Sequence, residues 1–127
     1  MCKVNMLGYP INVDYGVHVK QRLRSRFDDM DIAYLEYRIE EVFSDEAVAD
    51  HLMNEVKIGE DVILIDEDSG ITFAVNVGTD TLYIMTVYNA FEYSGFRCGD
   101  RQQVLKYAEK SGFRSGRFER KRGNVYA

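Results

Sequence analysis

The chain is poor in the residues that staple or interrupt a fold. It has two cysteines, Cys2 and Cys98, in 127 residues, too few for a disulfide framework or a cysteine-based zinc site. It has one proline, Pro10, and no low-complexity linker or internal repeat. No apolar run reaches the ~18 residues that span a bilayer. The opening residues 1–6 carry no signal-peptide core. These absences point to a single non-membrane domain in a reducing cytoplasm. They also leave no residue set with credible zinc, calcium or magnesium spacing, so no metal or other cofactor is expected.

Hydrophobic residues make up 46% and charged residues 29%, as in an ordinary globular protein with a real core. The net charge of −5 hides a division. Residues 1–96 hold 7 Lys+Arg against 18 Asp+Glu, a net −11. Residues 97–127 hold 9 against 3, a net +6. The acidic body repels polyanions at long range, whereas the basic end attracts them. Arg97, Arg114, Arg117, Arg120, Lys121 and Arg122 are therefore candidate nucleic-acid contacts. A solvated, flexible tail over 113–127 is the alternative reading of the same charge run.

Periodicity divides the rest. Pro10 to Val13 reads as a short extended entry, with Asp14 offering a helix N-cap. Tyr15, Val19, Leu23, Phe27 and Met30 then form an apolar stripe at helical spacing. A second helix follows Asp31, with Ile32, Leu35, Ile39, Val42 and Phe43 as its stripe and Glu36, Glu40 and Glu41 outside. Ser44 offers a cap for a third helix through Val48, Leu52 and Val56. His51 in that helix reads as packing rather than chemistry. Extended segments at 62–65, 71–77 and 81–88, joined by the turns 66–70 and 78–80, predict an antiparallel meander. The acidic turn Asp66 to Gly70 lacks the spaced ligands of a calcium loop. The aromatic segment 91–96 reads as a loop that covers a sheet edge or stacks on bases. Asp100 and Gln103 resemble a capping box for a last helix over about 101–111, with Gly112 at its C-cap. The expected architecture is α+β, with N-terminal helices on a curved antiparallel meander, plus a C-terminal helix and basic tail. The expected organisation is one domain over 1–112 and a tail over 113–127.

His18, Arg22 and Arg26 stand four residues apart. On a helix that step turns only about 40°, so the three share one face. They run beside the apolar stripe, at the boundary of core and solvent. Thr86 and Tyr88 are two apart on the last strand of the meander and face one side of it. Metal-free RNA cleavage needs a base for the 2′-hydroxyl, an acid for the leaving 5′-oxygen and cations around the phosphorane. Histidine titrates near neutrality and suits the proton roles. The planar arginine fork suits the phosphate. Tyrosine and threonine hydroxyls can orient the phosphate or pass a proton. If the first helix packs on the side of Thr86 and Tyr88, the five side chains converge.

The ordered pattern His18-Val19-Lys20-Gln21-Arg22-Leu23-Arg24-Ser25-Arg26, a following helix, and a meander ending in Thr86-Val87-Tyr88 resembles RelE-like members of the barnase–EndoU–colicin–RelE superfamily of ribonucleases. The likeness covers about residues 11–90. It implies helices packed on one side of a curved sheet. It also implies an RNA cleft lined by His18, Arg22, Arg26, Thr86 and Tyr88, in a toxin-like or phage-encoded endoribonuclease, with an antitoxin as an expected partner. Val19 stands where the family has alanine, an acidic helix precedes the sheet, and the body is acidic. Those departures keep a second function open: a non-catalytic phage or bacterial regulator or inhibitor that binds a protein through its acidic surface. A third reading, an oligomer built on an exposed sheet edge, remains beside them.

Overall fold

A computed structural model describes residues 2–27, 30–89, 101–109 and 112–119, with 101–104 and 112–119 described by backbone path alone. Among these residues the chain runs β1 (Cys2–Met6), β2 (Tyr9–Tyr15), α1 (Val17–Arg26), α2 (Ile32–Phe43), α3 (Glu46–Asn54), β3 (Asp61–Asp66), β4 (Ile71–Val77), β5 (Thr81–Asn89), β6 (Arg101–Ala108) and β7 (Gly112–Glu119). The strands form one mixed sheet in the order β1-β2-β5-β4-β3-β6-β7. The class is α+β. No helix among the described residues is long and apolar enough to cross a membrane.

The helices lie on one face of this sheet. Val19 and Leu23 of α1, Leu35, Ile39, Val42 and Phe43 of α2, and Val48 and Leu52 of α3 join Val13, Phe73, Leu82, Ile84 and Val87 in one core. Phe43 meets Phe73 edge-on, with ring centroids 5.6 Å apart. Each fully buried Leu, Ile or Phe contributes about 1.5–3 kcal/mol, so this layer holds the helices down. Asp31 caps α2 as expected, accepting from the Tyr34 amide at 2.9 Å. The cap of α3 is Asp45 rather than Ser44, since its carboxylate accepts from the Ala47 and Val48 amides. The cap of α1 is Gly16 rather than Asp14, because β2 runs on through Tyr15.

The strand pairing departs from a simple meander. The expected β3-β4-β5 hairpins are present and antiparallel. To them the chain adds an N-terminal hairpin, β1–β2, and two parallel pairings, β2 with β5 and β3 with β6. Pro10 sits in β2 without cost. The Asn12 amide donates to Asp80 on the β5 side, and Pro10, two residues earlier, turns its missing N–H the same way before that pairing begins.

The expected C-terminal helix is corrected. Residues 101–108 are strand β6, with Leu64 opposite Leu105 in parallel register. Leu105 and Tyr107 are buried and Lys106 between them is exposed, an alternation of period two. Gly112 opens β7 instead of closing a helix. The tail expected over 113–127 is corrected for 113–119, which pair with β6. The aromatic segment 91–96, Asp100 and residues 120–127 lie outside the described residues.

A buried ionic link also joins the layers. Arg38 of α2 forks onto Asp66 at the end of β3, with Nε–Oδ2 at 2.8 Å and Nη2–Oδ1 at 2.9 Å. Asp66 is fully buried and also accepts from the Ser69 hydroxyl within the acidic turn. That turn carries no metal-like spacing; its first carboxylate is instead a structural partner for an arginine 28 residues earlier.

Candidate nucleic-acid interface

Helix α1 is the cationic element of the body. Lys20, Arg22, Arg24 and Arg26 are four of the 7 Lys+Arg in residues 1–96, and the helix holds no acid. Burial of Val19 and Leu23 against the sheet leaves His18, Lys20, Arg22 and Arg24 exposed. His18 and Arg22 thus share the solvent face that their spacing predicts. Lys20 and Arg24 were missed by a reading fixed on the three-member series. The signal was present in the sequence as four cations and no carboxylate in ten residues.

Arg26 alone of the series turns inward. Its Nη1 donates to the Val87 carbonyl of β5 at 2.9 Å, and its guanidinium lies 4.4 Å from the centroid of the Tyr88 ring. The pairing of β2 with β5 reaches only Ile84. Past that point the β5 edge is free of β2, and Arg26 occupies it. Asn89 closes the corner by donating to the Arg26 carbonyl at 3.4 Å.

Thr86 and Tyr88 share a face, but it is the face opposite the helices. The register of β4 with β5 pairs Ala74 with Thr86 and Val75 with Ile84, so Met85 is an extra residue, a β-bulge. Without it Leu82, Ile84, Thr86 and Tyr88 would all point to the core. With it, Val87 takes the core position, and Thr86 stands opposite Ala74. Ala74 and Ile63 form a small second cluster with Ile65 and Tyr88. The convergence that required α1 on the Thr86 and Tyr88 side is therefore replaced by a different geometry. The cation face of α1 and the hydroxyl face of β5 lie on either side of the sheet, joined around its edge by Arg26.

Other polar groups bear on the site. Thr72, opposite Tyr88 in the β4–β5 register, is fully buried, and its hydroxyl has no hydrogen-bond partner among the described residues. Tyr15, just before α1, donates its phenol to Glu36 of α2. Burial, then that bond, then the Glu36 charge push its pKa far up, so it holds its proton at neutral pH. Arg38 is buried against Asp66 and adds nothing to the cation face. His51 is buried in α3, with Nδ1 2.6 Å from Glu55. Among the described residues no group of three His, Cys, Asp or Glu side chains can hold a metal ion. A cleft of about 100 Å³ between Met6, Leu52, Val77 and Leu82 is apolar, and it lies toward the Leu82 end of β5, away from Arg26.

Of the C-terminal cations, Arg114 and Arg117 occupy β7 opposite Lys106 and Gln103. Arg97, Arg120, Lys121 and Arg122 lie outside the described residues. No family model matches the chain, and neither a curated protein nor a solved structure does.

Proposed function

We propose that this protein is a metal-independent endoribonuclease, toxin-like or phage-encoded, that takes RNA along the exposed face of α1. The observation that carries the reading is Arg26, which ends the cation row of α1 at the edge of the strand bearing Thr86 and Tyr88. His18 takes the proton of the ribose 2′-hydroxyl. The 2′-oxygen attacks phosphorus, the P–O5′ bond breaks, and the 5′-oxygen takes a proton from water while His18 returns its own to solvent, giving a 2′,3′-cyclic phosphate and a 5′-hydroxyl end. Arg22, one turn from His18 on the same side of the helix, holds the phosphate oxygens, and Arg26 fixes the Tyr88 ring at the corner. Such work belongs to the cytoplasm, with an antitoxin-like protein as the natural restraint.

The test is cleavage of a single-stranded RNA in EDTA. Wild type should give cyclic-phosphate ends, His18→Ala should lose at least a hundredfold in rate, and a 2′-deoxy substrate should remain intact. Cleavage that His18→Ala leaves unchanged, or that persists on the 2′-deoxy strand, removes the reading.

One observation favours the second function. Residues 31–56 hold eight Asp and Glu but one Arg, the buried Arg38. An acidic helical surface suits a non-catalytic regulator that binds a protein partner. Growth arrest on expression that His18→Ala relieves separates the ribonuclease from the regulator.

A further inference from the structure

The two signs of charge on this protein are sorted by helix. Helix α1 exposes Lys20, Arg22 and Arg24 and carries no carboxylate. Helix α2 exposes Glu40 and Glu41, with the exposed rings of Tyr34 and Tyr37 along the same side. The two rings stand 6.2 Å apart, one helical step from the carboxylates. Both helices pack on the same face of the sheet, α1 over β5 and β2 and α2 over β1, so both turn their exposed residues away from that face.

The α2 patch carries a local cost. Glu40 and Glu41 lie in the last turn of α2, where the carbonyl ends are negative and the turn itself holds no basic residue. The tyrosines also have weaker helix preference than alanine or glutamate, and the core uses neither of them. A cation brought from outside relieves the repulsion. A guanidinium also stacks on tyrosine, as Arg38 already approaches the Tyr37 ring at 5.8 Å.

The complementary cations are on the neighbouring helix. Among the described residues no ion pair joins these cations to Glu40 or Glu41 within one chain. A two-fold axis brings α1 of each copy against α2 of the other and makes both contacts at once, the self-complementary arrangement of an isologous dimer. We propose that the α1–α2 surface is a homodimer interface, in which Lys20 and Arg24, one turn apart on the same side of α1, meet Glu40, Glu41 and the two tyrosines of the second copy. If α1 also takes RNA, a clause that rests on the function proposed above, dimer and RNA compete for the same helix.

The test is charge-swap complementation, read by sedimentation equilibrium without RNA. At low salt the wild-type mass should rise toward that of two chains with concentration, and added salt should reverse the rise. Lys20→Glu/Arg24→Glu and, separately, Glu40→Lys/Glu41→Lys should each weaken the dimer at least about tenfold. An equimolar mixture of the two variants should restore it. All these positions are exposed, and circular dichroism melts check that each variant is folded. A wild-type monomer at every concentration in low salt, a dimer indifferent to both swaps, or a mixture that stays monomeric overturns the proposal. None of these outcomes depends on ribonuclease activity, so the two readings fail separately.

Discussion

The Arg26 guanidinium lies 4.4 Å from the centre of the Tyr88 ring while donating to the Val87 carbonyl at 2.9 Å. One side chain therefore closes the end of α1 onto β5 and fixes the ring of a candidate site residue. Arg26→Ala should cost about 1–2 kcal/mol, from one hydrogen bond and one cation–π contact. Arg26→Lys keeps the charge and loses the planar fork. If Tyr88 must be held for RNA cleavage, the lysine variant should lose at least about tenfold in rate with a melting temperature close to wild type. Full activity in Arg26→Lys would limit Arg26 to a structural tie.

Arg38 and Asp66 predict a large effect far from the candidate site. Both are buried, and each satisfies the other through two hydrogen bonds. Removing one partner leaves a buried charge alone, so Arg38→Met or Asp66→Asn should cost about 3–5 kcal/mol. Urea denaturation of each single variant measures it. A loss under about 1 kcal/mol would mean that Ser69 and the turn backbone hold this corner without the ion pair.

Thr72 predicts a gain. Its buried hydroxyl has no partner among the described residues, and valine has the same shape without the polar group. Thr72→Val should therefore stabilise the protein by about 1 kcal/mol. A destabilised valine variant would show that the hydroxyl has a bonding role in the native fold.

Tyr15 predicts an alkaline limb of stability. Its phenol is held far above its ordinary range by burial and by donation to Glu36. In the unfolded chain it ionises near pH 10. Below about that pH both states keep the proton and the contribution is complete. Above it the unfolded chain releases a proton that the native chain retains, so stability falls as pH rises toward the native pKa. The Tyr15→Phe melting temperature should therefore fall less steeply than wild type between about pH 9 and 11. Parallel profiles would assign the alkaline loss to other groups.

Local signals made the middle of the chain legible. Asp31 and the stripe from Leu35 to Phe43 mark α2, because cap and buried face agree. Alternation and short turns mark β3, β4 and β5 for the same reason. The shared face of His18 and Arg22 follows from helical spacing alone. The C-terminal strand was not legible in this way. Val104, Tyr107 and Ala108 fit a helical step, Leu105 and Tyr107 an alternating one, and the parallel partner that decides the matter, β3, lies some forty residues earlier.

What the sequence determined by itself was the set of parts: the apolar stripes of the three helices, the cap of α2, the turns between β3, β4 and β5, and that cations concentrate in the first helix while carboxylates dominate the next two. What only the tertiary structure decided was which parts meet. Met85 is one extra residue in β5, and that single bulge moves Thr86 and Tyr88 from the helix side of the sheet to the other. Arg26 reaches Tyr88 around an edge that exists only because β2 stops pairing at Ile84. Side chains on a strand alternate with period two, so a one-residue shift in pairing reverses every face beyond it. Pairing is set by hydrogen bonds between segments distant in the chain, which spacing within any one segment does not encode.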